Sequence, residues 1–253
     1  DYGVASGYPT NTHVILWTKL TTPSSSNQKV NWEVSSDKDF LNTIVNGSYI
    51  SEKENNFIVK VDAQIPIELN AKKIFYRFET GGVYSEIGTT FTLPLENPNK
   101  FNIAFCSCSN YPSGYFNAYK EMARDADVDL VLHLGDYIYE YSREGYASSD
   151  AKSMGREVNP SNEIISLDDY RRRYATYRSD KDLQLLHKSK PMIVVWDDHE
   201  ITNDTWKLGA QNHSADEGSF YDRKNNAIRA YYEWMPIRCL LYTSPSPRDG
   251  SES

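Results

Sequence analysis

The stretch LHLGDYIYEY, residues 132–141, lies at the end of an apolar run and decides the fold of this chain. The run at residues 128–134 predicts a short buried strand, the glycine after it permits a tight exit, and Asp136 stands at the carboxyl end. A second apolar run, residues 192–196, leads in the same way into the sequence DDHE at residues 197–200. Because ligands collect at the carboxyl ends of parallel strands in α/β folds, the two strand ends together predict a hydrolytic metal site.

The composition limits the class of protein more than its function. With 253 residues the chain is long enough for one large domain or two ordinary ones. Its formal net charge of −8 argues against a groove that neutralises a nucleic-acid backbone, so we expect no nucleic-acid binding. A phosphoester substrate remains compatible with this charge, since bound cations supply a local positive field. No stretch approaches the roughly 18 apolar residues of a membrane span, and three cysteines cannot form a disulfide framework.

Short alternating segments separated by turn residues occupy the first part of the chain. Phe57, Val59 and Val61 alternate with polar residues, and the pair Gly81-Gly82 is typical of a hairpin turn. This spacing predicts an all-β sandwich of immunoglobulin or fibronectin type over residues 1–95. Since no catalytic pattern is visible there, we expect a packing or substrate-edge module.

The pattern changes after a linker at residues 94–100. The predicted elements that follow are a strand at 101–105, a helix at 115–124, the strand at 128–134 and a short helix at 183–188. Ser166 is expected to begin another helix, because Asp169 lies three residues later in the capping-box position. Strands that alternate with helices predict an α/β catalytic domain with a parallel core over residues 96–238.

The first strand end of this domain carries two cysteines. Cys106 is expected to be a buried, unreactive thiol, which is the commonest state of a free cysteine. Cys108 stands at the strand exit, where its thiolate could reach a metal ion. From the spacing alone, both interpretations of Cys108 stay open.

The second strand end offers a carboxylate and a phenol. Asp136 and Tyr139 are three residues apart, which in a helical turn places both side chains on one side. A carboxylate, a phenolate and a nearby thiolate favour a ferric ion or another strongly Lewis-acidic transition metal, because calcium and magnesium accept oxygen donors but not sulfur. The alternative is that Asp136 caps the following turn and Tyr139 is an ordinary loop aromatic.

The third strand end places Asp197, Asp198, His199 and Glu200 in succession. Four ionisable side chains after a buried strand are costly to desolvate without a cation or partners. Asn203 adds a neutral amide oxygen, which suits a hard ion such as calcium. The alternative is an acidic helix N-terminus, where carboxylates are favourable without any metal.

The remaining histidines carry less weight in the sequence. His133 lies in the strand before the Gly-Asp exit and is a candidate to support the site from behind. His13 and His187 are expected to be surface or packing residues. His213 lies in a polar loop and is weak evidence for a functional site.

Several segments match one family in chain order. They are residues 4–7 (VASG) with 14–20 (VILWTKL), 104–108 (AFCSC), 114–116 (GYF), 133–140 (HLGDYIYE), 170–178, and 196–200 (WDDHE) with Asn203. On these segments the chain resembles the PhoD-like alkaline phosphatases, a branch of the calcineurin-like metallophosphatase fold. The resemblance spans residues 3 to about 238, and LGDYIYE followed by WDDHE is its most specific part.

The resemblance implies a fold, an activity and a set of ligands. It implies a fibronectin-like N-terminal domain, an αββα catalytic domain, secretion by the twin-arginine route, and hydrolysis of phosphomonoesters and some phosphodiesters at alkaline pH. The family site resembles one ferric ion with calcium ions. By motif, iron would be held by Cys108, Asp136 and Tyr139, with Asp136 bridging to calcium. Asn203 and Asp198 would face calcium, and His199 would orient or stabilise the phosphoryl group.

The chain also departs from the family pattern. Tyr8 stands where an acidic residue is usual, and the later histidine and aspartate ligands of the family lie beyond residue 238. Residues 239–253 resemble a translated sequencing adapter, so we expect a foreign tail, a truncated catalytic domain and an incomplete metal shell. Two alternatives to the phosphatase remain: a phosphodiesterase or phospholipase D-like metallohydrolase, and a non-catalytic β-sandwich binding module.

Overall fold

The computed structural model describes residues 1–22 and 24–238. Its strands are β1 (Val4–Gly7), β2 (His13–Lys19), β3 (Gln28–Ser35), β4 (Thr43–Ser51), β5 (Ile58–Gln64), β6 (Ile74–Thr80), β7 (Val83–Tyr84), β8 (Gly88–Thr90), β9 (Ile103–Cys106), β10 (Leu130–His133), β11 (Met192–Val194), β12 (Thr205–Trp206) and β13 (Gly209–Ala210). Its α-helices are α1 (Asn117–Arg124), α2 (Leu167–Arg178), α3 (Lys181–Ser189) and α4 (Phe220–Trp234). The predicted foreign tail, residues 239–253, lies outside the described residues.

A six-stranded mixed sheet positions the site. Its strand order is β5-β2-β1-β11-β10-β9. β10 pairs in parallel with both β9 and β11, and β1 joins them through a parallel pairing of Gly7 with Met192. A Cβ on Gly7 would stand 2.4 Å from the carbonyl oxygen of Pro236, so this junction requires glycine. The sheet therefore runs across the domain boundary predicted near residue 95, and that boundary stays a prediction.

A second sheet makes the N-terminal region rich in β-structure, as predicted. Its order is β4-β3-β6-β7, with β8 paired to β6. Side chains from both sheets, including Leu16, Val34 and Val59, belong to one buried apolar cluster. Gly81 and Gly82 both have positive φ and connect β6 to β7, so the predicted hairpin turn is confirmed.

The two faces of the parallel strands differ in how they are covered. On one face, Val131 and Val194 are buried in a cluster that contains residues of all four α-helices. The opposite face carries Ile103 and Phe105 of β9, which are 50% and 70% exposed. Leu134 and Val195, which follow β10 and β11 on this same face, are 44% and 42% exposed. An apolar sheet face is thus uncovered within the described residues.

Local sequence signals were the most reliable guide to the helices. The capping box at the start of α2 is confirmed, because the Ser166 side chain accepts from the Asp169 N–H and the Asp169 side chain accepts from the Ser166 N–H. Helix α4 was not predicted, although its buried residues Arg223, Ala227, Ala230 and Trp234 follow a helical period. Among the described residues, no helix is both long and apolar enough to cross a lipid bilayer.

Candidate metal centre

Three ligand-type side chains converge where β10 and β11 end. One ligand atom each from Asp136, Asp198 and His199 lies within 4.8 Å of the others. The Oδ1 atom of Asp136 is buried and has no hydrogen-bond partner among the described residues. Burial raises the pKa of Asp136, and the charges of Asp198 and Asp197 raise it further against the lowering effect of His199. A buried, unpartnered carboxylate oxygen beside like charges is what a cation stabilises, so Asp136 and Asp198 fit a bound metal ion, with His199 beside them.

The turn after β10 carries Asp136 to this edge. Gly135 and Asp136 have φ values of +105° and +53°. A Cβ on Gly135 would lie 2.6 Å from the backbone nitrogen of Asp197, so glycine allows the two loops to touch. The predicted tight exit at Gly135 is therefore confirmed.

Glu200 holds the two loops together. Its buried carboxylate accepts backbone N–H groups of Tyr137 at 2.6 Å, Asp197 at 2.8 Å and Asp136 at 3.2 Å. Burial raises the pKa of Glu200 to about 7, and these three donors act in the opposite direction. The sequence marks Glu200 only as part of an acidic run, whereas its role as a backbone clamp depends on the tertiary fold.

Tyr139 and Cys108 are neighbours of Asp136. The Tyr139 hydroxyl donates to Asp136 Oδ2 at 3.3 Å, and burial raises the pKa of Tyr139 together with the nearby charges of Asp136 and Cys108. The backbone N–H of Cys108 donates to the Gly135 carbonyl at 3.1 Å. Burial raises the pKa of the Cys108 thiol, whose neighbours include Asp136 and Tyr139. Of the three side chains assigned to iron by resemblance, Tyr139 and Asp136 are thus in contact, whereas the Cys108 sulfur is not among the ligand atoms that lie within 4.8 Å of one another. The role of all three as ligands stays a prediction.

His199 is held by Glu140, a site residue that the sequence-based prediction did not include. Glu140 is fully buried, and its Oε2 atom lies 2.7 Å from Nδ1 of His199. The His199 ring packs on Tyr139, with centroids 4.2 Å apart and planes inclined by 31°. Burial lowers the pKa of His199, but the hydrogen bond and charge of Glu140, together with the charges of Asp136 and Asp198, raise it, so the net shift is upward. One signal was available, since a carboxylate within the aromatic run YIYEY is costly to bury without a partner.

The other oxygen of Glu140 organises the loop after β11. Oε1 accepts the backbone N–H of Asn203 and the side-chain amide of Asn212, both at 2.8 Å, and the Thr202 hydroxyl at 3.1 Å. Burial raises the pKa of Glu140, but His199, Asn212 and Asn203 lower it, so the net shift is downward. The Asn203 side chain itself donates to Gln211 at 2.9 Å. The structure therefore brings Asn203 to the rim of the site, and its calcium role stays a prediction.

Behind the site, His133 connects the first and second strand ends. Its Nδ1 accepts the Gly135 N–H at 3.4 Å, which leaves the proton on Nε2 for the Tyr119 hydroxyl at 2.9 Å. The Tyr119 hydroxyl in turn hydrogen-bonds Ser109 in the loop that carries Cys108. His133 thus supports the site from behind, as its position in the sequence suggested. Its counterpart His187 is a packing residue, fully buried, with Nε2 2.8 Å from the Tyr137 hydroxyl.

Two family models divide the chain between them. The model for "PhoD-like phosphatase" matches residues 103–248, and the model for "PhoD-like phosphatase, N-terminal domain" matches residues 1–94. The chain belongs to the PhoD-like phosphatase family. The resemblance inferred from LGDYIYE and WDDHE is therefore confirmed.

One named protein and one solved structure are similar to nearly the whole of this chain. Alkaline phosphatase D of Bacillus subtilis (strain 168) is 41% identical over 247 residues, which cover 93% of this chain and 41% of that protein. A solved structure described as "Structure of PhoD" matches with a TM-score of 0.85 at 39% identity, covering 94% of this chain and 46% of the other. The chain thus spans less than half the length of either relative.

The buried imidazole of His133 predicts a loss of stability in acid. Burial lowers the pKa of His133 to about 4, so the folded chain keeps this ring neutral while the unfolded chain protonates it near its ordinary value of 6.5. Between these values the unfolded state binds more protons, and stability falls as pH falls. At about 1.4 kcal/mol per pKa unit, the His133 contribution lost by pH 4 is at most about 3 kcal/mol.

Urea denaturation of wild type and His133→Gln at pH 7.0 and 5.0 measures this effect. The variant is expected to be less stable at pH 7.0, and the difference between the two proteins should shrink at pH 5.0. The raised pKa of Glu200 has the opposite effect, because it makes the folded chain more stable as pH falls from 7 to 4.5. This effect is present in both proteins and therefore cancels in the difference. His13→Gln, at the start of β2, is the control. An unchanged difference at the two pH values would show that His133 is not held neutral.

Proposed function

We propose that this chain forms the metal-binding edge of an enzyme that hydrolyses phosphomonoesters and some phosphodiesters. The observation that carries the proposal is the convergence of Asp136, Asp198 and His199, with an unpartnered buried carboxylate oxygen, after two parallel strands. Membership in the PhoD-like phosphatase family and the likeness to a protein named alkaline phosphatase D support the same reaction class.

The donor types support a ferric ion together with calcium. Cys108, Asp136 and Tyr139 would hold the ferric ion, because thiolate and phenolate donors suit such a metal. Asp136, Asp198 and Asn203 would face calcium, which prefers carboxylate and amide oxygens. When bound, these cations would supply water activation and stabilisation of charge on the phosphoryl oxygens.

His199 is the residue that we assign to the phosphoryl group. Glu140 occupies its Nδ1, which leaves Nε2 as the ring nitrogen available to a substrate oxygen. The Glu140 carboxylate accepts a hydrogen bond from Nδ1, and its charge favours a second proton on Nε2, so His199 can donate a hydrogen bond to an anionic oxygen. Packing on Tyr139 restricts the ring and reduces the entropy lost when it binds substrate.

We also propose a finer architecture for the whole protein. The N-terminal sheets would form a fibronectin-like sandwich, since apolar residues of both sheets share one cluster. The catalytic part would be an αββα sandwich that is incomplete here, because parallel sheets are normally covered on both faces and Phe105 is 70% exposed. Secretion stays a proposal drawn from the resemblance to the family. The foreign origin of residues 239–253 stays a proposal drawn from their likeness to an adapter sequence, although the family model matches as far as residue 248.

Hydrolysis of paired chromogenic substrates tests the proposed reaction. The proteins are this chain and a protein of full family length that carries the same residues, each stripped by a chelator and reloaded with Fe³⁺ and Ca²⁺. We expect the longer protein to lose activity on stripping, to recover it with both cations, and to turn over p-nitrophenyl phosphate faster than bis-p-nitrophenyl phosphate. Faster diester turnover favours the phosphodiesterase or phospholipase D-like alternative. Activity that survives removal of all metal contradicts the proposal.

The colour of the metal-loaded protein tests the iron assignment. A ferric ion bound by phenolate or thiolate gives a charge-transfer band in visible light, so we expect the full-length protein to be coloured. Tyr139→Phe should bleach or shift this band, while Tyr146→Phe, which stacks on Tyr139 at 6.4 Å, should leave it unchanged. A colourless wild-type protein with full activity would be inconsistent with iron at this position.

A further inference from the structure

A separate cavity of about 410 Å³ lies at the other end of the parallel strands. Its lining includes Phe101, Asp129 and Pro191, which precede β9, β10 and β11. The metal centre follows the same strands, so the sheet separates the two sites. The volume is within the range of pockets that hold small organic ligands, roughly 300–1,000 Å³.

The cavity is locally positive in an acidic chain. Lys73, Lys100 and Lys190 line it, and they come from three separate segments. Asp129 is the one carboxylate among the lining residues, and its Oδ2 atom already accepts the backbone N–H of Asn102 at 2.8 Å. With a net charge of −8 on the whole chain, this concentration of ammonium groups is a local exception that favours an anion.

The position of Lys190 is set by the protein. Its ammonium group donates to the carbonyl oxygens of Val128 at 2.5 Å and Asp125 at 2.8 Å. Burial lowers the pKa of Lys190, Asp125 and Asp129 raise it, and the charge of Lys73 lowers it again. Lys73 and Lys190 therefore repel each other, and an anion bound to Lys73 would relieve that repulsion.

Part of the cavity lining is apolar and aromatic. The rings of Phe91 and Phe101 meet edge to face, with centroids 6.1 Å apart and planes inclined by 68°. Val128 and Pro191 extend this surface. Thr90 also lines the cavity, and its buried hydroxyl has no hydrogen-bond partner among the described residues. A ligand that fits must therefore offer apolar surface as well as charge.

We propose that this cavity binds a small organic anion, in which an aromatic body carries a sulfonate, carboxylate or phosphate group. The body would pack on Phe91 and Phe101, and the anionic group would bind the ammonium groups of Lys73 and Lys100. Inorganic phosphate lacks the apolar part and a neutral arene lacks the charge, so each should bind more weakly. The site shares no residue with the metal centre and does not depend on the proposed hydrolysis.

Calorimetric titration with naphthalene-1-sulfonate tests the site in the whole chain. We expect saturable binding of one probe per chain that weakens as salt is added. Replacing both Lys73 and Lys100 with alanine should weaken it at least about tenfold, because each lysine supplies a charge-assisted contact. The control changes two exposed lysines elsewhere, Lys29→Ala with Lys38→Ala, and so matches the change in net charge.

Several outcomes would overturn the proposal. They are no saturable binding, equal affinity in the Lys73→Ala/Lys100→Ala variant, and equal affinity for the neutral 1-naphthalenemethanol or for inorganic phosphate. Loss of binding in Asp136→Asn would place the probe at the metal centre and would also contradict it. Retained binding in Asp136→Asn with loss in the double lysine variant supports the proposal.

Discussion

Asp136→Asn is expected to lower kcat/KM for p-nitrophenyl phosphate by roughly a thousandfold or more in a protein of full family length. Asp136 stands between Tyr139, which donates to its Oδ2, and the pair of Asp198 and His199. Asparagine keeps the size of the side chain but removes its charge, and its NH₂ group cannot coordinate a cation. The substitution should therefore remove the negative charge that the proposed iron and calcium positions share.

Metal content separates this effect from a loss of folding. We expect Asp136→Asn to retain less bound metal by mass spectrometry while its thermal unfolding changes little, because the neutral amide relieves repulsion from Asp197 and Asp198. Asp150→Asn, at an exposed position, is the control and should keep wild-type metal content. Wild-type turnover in Asp136→Asn would exclude the bridging role.

Glu140→Gln is expected to lower kcat by roughly a hundredfold to ten-thousandfold with little change in metal content. The wild-type carboxylate accepts a hydrogen bond from the N–H at Nδ1 of His199. Nε2 is then free to form a hydrogen bond with the substrate. Glutamine can keep its carbonyl oxygen for Asn203 and Asn212, which turns its NH₂ group toward Nδ1. Nδ1 must then accept a hydrogen bond, and the favoured tautomer and charge of the ring change.

A pH profile distinguishes this mechanism from simple loosening of the loop. Because Glu140 raises the pKa of His199, the limb of the kcat profile that follows His199 should move to lower pH in Glu140→Gln. Glu144→Gln, at an exposed position four residues later, is the matched control and should leave both kcat and the profile unchanged. If Glu140→Gln keeps the wild-type kcat and pH profile, Glu140 serves only to pack the loop.

The parts of the fold that could be predicted are those controlled by neighbours in sequence. The Ser166 capping box and the Gly81-Gly82 turn are each complete within a few residues, and both are confirmed. The ends of the elements differ from the predicted ones: the helix predicted at residues 115–124 begins at Asn117, and the strand predicted at residues 128–134 covers Leu130–His133. Tertiary packing decides where such elements stop.

The amino-acid sequence by itself determined the β-rich N-terminal region, the strand and helix alternation after it, and the placement of Asp136, Tyr139 and the DDHE run at strand ends. These features have a short period or a short spacing, so local sequence records them. Only the tertiary structure decided that Glu140 binds His199 across 59 residues, that Glu200 clamps the loop of Asp136, and that β1 extends the parallel strands. Such contacts arise from long-range strand pairing and loop packing, which leave no periodic pattern in the chain.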